Sequence, residues 1–120
     1  MVLRQNKARY LRLNGKYLKD AERFLSEKDY LETSEKLWGA AAQIVKAVAA
    51  GRGIAIRSHE RLWDFVEKLD HEKPQLQIAE SFSIASALHT NFYEGWMPPG
   101  VVKKNAKVLR QFVRNLRELA

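Results

Sequence analysis

Leu37-Trp38-Gly39-Ala40-Ala41-Ala42-Gln43-Ile44-Val45-Lys46-Ala47-Val48-Ala49-Ala50 is the stretch that decides the fold. Leu37, Trp38, Ala41, Ile44, Val45 and Val48 recur at intervals of three and four residues, the spacing of one helical face. Gly39, Ala40, Ala42, Ala47, Ala49 and Ala50 fill the positions between, so the second half of this helix is small or apolar nearly all round. A helix of that kind is buried on every side. The pattern predicts a central helix, beginning after Glu27-Lys28-Asp29, that several neighbours approach closely. Asp29 or Glu27 places negative charge ahead of its start. Gly51-Arg52-Gly53 ends it, because glycine tolerates the left-handed backbone that follows a helix C-terminus.

Outward from that helix the same period repeats. Tyr10, Leu11, Tyr17, Leu18, Ala21, Phe24 and Leu25 form one face of a first helix over about residues 5–26, with Gly15 weakening its middle, so residues 1–14 are expected to fray or to form a separate short helix. Ser58 is the expected N-cap of a third helix carrying Leu62, Phe65, Val66 and Leu69. A fourth begins just after Pro74 with Ile78, Ala79, Phe82, Ala85, Leu88 and Phe92 on one face. A fifth starts near Pro99 and shows Val102, Val108, Leu109, Phe112, Val113, Leu116 and Leu119. No segment alternates with period two, and the connections are short. The prediction is an all-α, five-helix antiparallel bundle occupying residues 1–120 as a single domain.

Composition narrows the chemistry. The 120 residues suffice for one core and exclude a second catalytic domain. With no cysteine, thiolate metal sites, iron-sulfur clusters and cysteine nucleophiles drop out together, and a reducing compartment fits. The first residues lack a secretory apolar region, and Gln43 and Lys46 interrupt the longest apolar run, so a soluble, cytoplasmic protein without a membrane role is expected. The formal charge is +7. It is unevenly placed: residues 1–28 hold eight Lys or Arg against three acids, residues 98–120 six against one, and residues 29–97 seven against ten. Arg12, Lys16, Lys19 and Arg23 form one helical stripe, and Lys103, Lys107, Arg110, Arg114 and Arg117 form another. Each lies opposite an apolar face. If the first and last helices are neighbours, the stripes join into a basic surface able to follow a phosphate backbone of RNA or DNA. The plainer alternative is a solvated face.

Catalytic signatures are sparse. On one helix the twelve-residue interval between His59 and His71 is a rise of about 18 Å, too long for a shared metal, and there is no HExxH. Gly51-Arg52-Gly53 lacks the strand and the Gly-Lys-Ser/Thr of a phosphate loop. Ser58 beside His59 is not a triad, since the two point apart and no third group orients them. Neither a metal nor a cofactor is expected.

Three blocks resemble a known family: Ser34-Glu35-Lys36-Leu37-Trp38-Gly39-Ala40-Ala41, Ser58-His59-Glu60-Arg61-Leu62-Trp63-Asp64-Phe65-Val66, and Leu88-His89-Thr90-Asn91-Phe92-Tyr93-Glu94-Gly95-Trp96. In this order, over about residues 18–118, they look like those of the archaeal PaREP family. That family is similar in turn to the HEPN group of helical bundles attached to nucleotidyltransferases, toxins and RNA-processing nucleases. Ser58-His59-Glu60-Arg61-Leu62 is similar to the block that opens a middle HEPN helix. The resemblance implies a HEPN-like bundle, a homodimer, a nucleic-acid neighbourhood, and a nucleotidyltransferase or antitoxin as a possible partner. Ribonucleases of the HEPN group carry an Arg, four to six residues, then a His, late in the bundle. Arg52 and His59 have that spacing in an early loop, a pattern that ten arginines and three histidines produce by chance. Before His89 the arginine positions hold Phe82, Ser83 and Ile84, so the late motif is broken.

The remaining candidates form one hypothetical pocket. The loop before the third helix would fold over the end of the fourth, bringing Arg57 and His59 toward His89, Asn91 and Tyr93. His59, at a helix N-terminus, is expected as a neutral, locally bonded ring. His89, Asn91 and Tyr93 are either buried hydrogen-bonding residues or a pocket wall. Trp63 and Trp96 read as core or interface anchors. The sequence therefore supports a non-catalytic, dimeric binding or assembly module with a nucleic-acid-associated role. Its rivals are a metal-independent ribonuclease or toxin component and a protein adaptor.

Overall fold

The computed structural model describes residues 2–120, with side-chain surroundings from residue 6 onward. Helix α1 spans Val2–Ser26, α2 Tyr30–Gly51, α3 His59–Glu72, α4 Ile78–Glu94 and α5 Pro99–Leu119. There is no strand among the described residues. The all-α, five-helix bundle is therefore what the apolar spacing predicted. Helix α2 lies in the centre, packed by α1, α3, α4 and α5. From Leu37 to Ala50 only Trp38, Gly39, Gln43 and Lys46 keep partial exposure. Around it gather Phe65, Val66, Leu69, Phe82, Leu88, Leu109, Phe112 and Leu116.

Small side chains make this packing close. A Cβ on Gly39 would stand 3.0 Å from Tyr17 Cδ2, so α1 rests on α2 where a side chain is missing. Close by, Asn14 is fully buried and donates from Nδ2 to Ala40 O at 2.7 Å. Its Oδ1 accepts from Arg117 Nε at 3.1 Å and Nη2 at 2.7 Å. One amide thus ties α1, α2 and α5 together. It also explains the correction at Gly15: α1 is one continuous helix, with Arg117 covering that glycine. Met1, part of the segment expected to be separate, lies outside the described residues.

The ends follow local chemistry. Asp29 caps α2 by accepting from Glu32 N, and Ser58 caps α3 by accepting from Arg61 N. Helix α2 stops at Gly51, with Gly53 in the left-handed region at φ 77°. Helix α4 starts later than its proline suggests. Pro74–Leu76 forms a 3-10 turn, Gln77 takes φ 52°, and the Ala79 N–H is capped from α3 by Asp70 Oδ1 at 3.1 Å. At the other end of α4, Asn91 is buried, donating to Ser34 Oγ at 3.0 Å and accepting from Met97 N at 2.7 Å. That side chain latches the α4–α5 turn onto α2.

Two outcomes are expected. Asn91→Ala leaves the buried Met97 N–H without an acceptor and should destabilise the fold by about 2 kcal/mol, lowering Tm by about 10 °C; an unchanged Tm would show that the latch holds nothing. Arg52 and Glu72 meet through two contacts of 2.9 Å, and the hydrogen bond from Arg52 holds the Glu72 carboxyl below the usual carboxylate range against its desolvation. With the folded value below the unfolded one, this stabilisation is complete above the ordinary glutamate value and is lost as pH falls through the depressed one. Glu72→Gln should therefore flatten the acid limb of a Tm-versus-pH curve slightly, and superimposable limbs would exclude the contribution.

Candidate functional site

Two surfaces carry the candidate residues, on different sides of α1. The first is the seam where α1 meets α5. Leu18, Ala21, Glu22 and Leu25 of α1 face Ala106 and Arg110 of α5 across a shallow groove. Of the two predicted basic stripes, Arg110 lines this groove beside Glu22, and Arg117, further along, reaches Asn14. Their members are not equivalent. Arg12, Lys16, Lys19, Lys103, Lys107 and Arg114 are exposed, and Arg110 is half-buried in the groove. None of these seven is in an ion pair among the described residues. Arg23 is neutralised locally by Asp20 at 4.0 Å and Glu27 at 3.7 Å, its guanidinium lying over Phe24. Arg117 is committed to Asn14, which removes it from the free set.

The second surface is a hollow of about 530 Å³ between α1, the middle of α2, the α2–α3 connection and the first turn of α3. The connection is held down by Ile54 and Ile56, which pack on the core, while Arg57 between Ile56 and Ser58 stays exposed. Arg57 and His59 line the hollow as a pair, so this half of the expected pocket is brought together. Three members fall elsewhere. His89 lies behind Trp38, stacked on its indole with centroids 4.8 Å apart, and its Nδ1 is 2.9 Å from Glu35 Oε1. Asn91 is the buried latch described above, the hydrogen-bonding alternative of its two readings. Tyr93, 71% exposed, touches His89 edge-on at 5.4 Å, outside the hollow.

His59 packs beside Trp38 at 5.7 Å, and its ring has no hydrogen-bond partner among the described residues, contrary to the expected local bond. Trp38 therefore sits between the two histidines that the sequence pairs. Trp63 is a core residue, edge-on to Phe82 at 4.8 Å. Trp96 remains 53% exposed on the α4–α5 turn.

Sequence reasoning missed Tyr17, Glu35, Lys36, Gln43 and Lys46, all of which line the hollow. The signal was present: Lys36, Gly39, Gln43 and Lys46 follow the 3, 4, 3 spacing of one helical stripe, a polar strip on an otherwise apolar helix. Asn14 was equally visible, because it stands at an apolar position between Tyr10 and Tyr17. No group of His, Asp or Glu able to hold a metal occurs among the described residues. No described helix is long and apolar enough to cross a membrane.

Comparison with known proteins bears on the fold and the family. The chain superposes on a crystal structure of a protein from Sulfolobus solfataricus with a TM-score of 0.80 and 22% identity, covering 89% of this chain and 95% of that one. At that identity the likeness concerns the fold alone. No curated protein matches the chain. A profile of the archaeal PaREP1/PaREP8 family matches residues 9–113, through parts or all of the five helices, and the chain belongs to that family.

Proposed function

We propose that the chain is a non-catalytic, homodimeric binding module that takes RNA or DNA along the α1–α5 seam. The observation that carries this reading is that α1 and α5 present Arg12, Lys16, Lys19, Lys103, Lys107, Arg110 and Arg114 with no ion-paired carboxylate among the described residues, Arg110 lying in the groove between the two helices. A surface that used its charge only for solubility would gain from interspersed acids, as the middle of the chain has. Unpaired cations on these two helices, outnumbering the single acid in the groove, Glu22, instead give a net positive field, the electrostatic footprint of a phosphate-backbone ligand. Each phosphate they neutralise releases counterions, so the affinity must depend steeply on salt. The contacts proposed are to phosphates, which carry no sequence information, so binding is expected to be largely indifferent to sequence.

The dimer belongs to the same proposal, and its contact falls at one end of the bundle. The apolar faces of α2 are covered within the protomer, which favours a contact elsewhere. Among the described residues the exposed large apolar ones are Leu31, Tyr93, Trp96 and Val101. Leu31 lies 3.8 Å from where a Cβ on Gly95 would stand, so the α4–α5 turn and the start of α2 share an apolar surface. The HEPN comparison extends the proposal to a nucleotidyltransferase or antitoxin as a further partner.

A ribonuclease is the second reading, favoured by the His89–Glu35 contact beside Trp38. A carboxylate on one ring nitrogen orients an imidazole for proton transfer. It lacks a phosphate-holding cation at His89, since Arg57 and His59 line the hollow on the other side of the indole.

The seam is tested by measuring the affinity for a short RNA duplex against salt. Lys107→Glu with Arg114→Glu should flatten the log–log slope by about one to two units, while Lys68→Glu on α3 leaves it unchanged. No binding at low salt, or indifference to the pair, would reject the seam and leave the protein adaptor. Metal-independent cleavage of single-stranded RNA that disappears with His89→Ala, the fold surviving, would replace the module with the nuclease. Sedimentation should show a dimer at tens of micromolar, roughly where specific interfaces of this size hold, and Trp96→Glu should yield monomer; a wild-type monomer there removes the dimer.

A further inference from the structure

Ile54, Ala55, Ile56 and Arg57 join α2 to α3 without helix or turn. Their side chains alternate, Ile54 and Ile56 packing on the core while Ala55 and Arg57 are exposed. A period of two is that of an extended strand, and Ser58, next in the chain, is extended at φ −151° and ψ 161°. The Ile54 N–H donates to Ala49 O at 2.9 Å. Beyond it, the amides of Ala55, Ile56 and Arg57 and the carbonyls from Ile54 to Arg57 have no partner among the described residues. This run therefore has the free edge of a β-strand on a molecule otherwise made of helices. Another polypeptide backbone matches such an edge, since it offers N–H and C=O groups in the same alternation, whereas a phosphate backbone offers acceptors alone.

The surroundings give the charge of what would lie there. Ile56 and Arg57 line both the hollow of about 530 Å³ beside α2 and a smaller one of about 250 Å³ toward Asn6 and Tyr10, so the two recesses meet at this run. The larger is positive: Lys36, Lys46 and Arg57 line it with no ion pair among the described residues, and its one acid, Glu35, is engaged by His89. Lys36 and Lys46 stand ten residues apart on α2, a rise of about 15 Å, which about four or five extended residues span. We infer that the α2–α3 connection and the hollow beside it receive an extended segment of a protein partner, its backbone pairing with residues 54–57 and the acidic side chains of one of its faces meeting Lys36, Lys46 and Arg57. A second copy of this chain offers no such segment, because outside its helices the described acids are Glu27 and Asp29 in the turn before α2. The partner is therefore a different protein. The inference stands apart from the seam, none of whose cations it uses.

The probe is a labelled, end-blocked peptide of about eight residues alternating glutamate and threonine, an order that puts every carboxylate on one face. Fluorescence anisotropy measures its binding, and NMR follows amide exchange. The protein carries Lys107→Glu and Arg114→Glu, which removes the seam as a competing cationic surface. Saturable binding is expected in roughly the ten to hundred micromolar range, with slower exchange of the amides of residues 55–57 in the complex. Arg57→Glu, at an exposed position, and Lys46→Gln should each weaken the peptide by about fivefold or more with Tm unchanged, while Lys68→Glu on α3 should not. Successive residues of a strand point their N–H groups to opposite edges, so methylating the amides of one residue type, glutamate or threonine, should abolish binding and methylating the other should not. The inference is overturned if the peptide does not saturate by about millimolar concentration, if a lysine–threonine peptide binds as well, or if both methylated forms bind like the parent. A uridine oligomer that binds the same protein more tightly, and is weakened by the same two substitutions, would assign the surface to nucleic acid and overturn it as well.

Discussion

The closeness with which four helices approach α2 is the constraint on which the rest depends. A helix so nearly surrounded needs side chains small enough to admit its neighbours and apolar enough to stay dry, and between Ala40 and Ala50 all but Gln43 and Lys46 supply both. Large residues come from the neighbours instead, with Phe82, Phe112, Leu88 and Leu109 filling what the alanines leave. The Gly39–Tyr17 contact and the Asn14 amide then fix how α1 lies on that surface. Asn14 is the costlier choice, since a buried amide must find partners, and it finds them on two other helices. An interaction satisfied only by the correct arrangement of three helices favours that arrangement over other compact ones.

Much of this was legible because it is local. The helix period, the Ser58 and Asp29 caps, the stop at Gly51 and the start at Pro99 each depend on neighbours within four residues. The failures are equally physical. Gly15 reads as a weak point when propensity alone is considered, yet tertiary contacts from Asn14 and Arg117 carry the helix through it. The start of α4 was misplaced because its cap is Asp70, a side chain from the preceding helix that no local pattern reveals. Asn91 was left between two readings, since only the folded α4–α5 turn brings the Met97 amide to it.

The candidate sites divide in the same way. A stripe of cations shows in the sequence because it has helical spacing, but whether two stripes adjoin is decided by topology. Here α1 and α5 both lie on α2, and Arg117 of one reaches Asn14 of the other, a pair 103 residues apart in sequence. Topology also changed the stripes' membership: Arg117 became structural and Arg23 acquired carboxylates on its own helix. The pocket was less legible. The expected pocket put His59 and His89 together, whereas Trp38, a residue that reads from the sequence as core, stands between them.

The separation of the two surfaces follows from the placement of α1. Its apolar face is wider than α2 alone can cover, so one flank leans on α5 and the other hangs over the middle of α2. On the first flank only a shallow groove is left, lined by Leu18, Ala21 and Leu25 of α1 and by Ala106 and Arg110 of α5. The second stays open beyond the point where Tyr17 closes on Gly39, because there the α2–α3 connection reaches the space over Ala42 only with Ile56 and Arg57. On a helix otherwise this apolar, Lys36, Gln43 and Lys46 are tolerated because this is the side of α2 that no other helix covers. The exception to the buried pattern and the opening in the packing have one cause, which is why the polar strip marks the cavity.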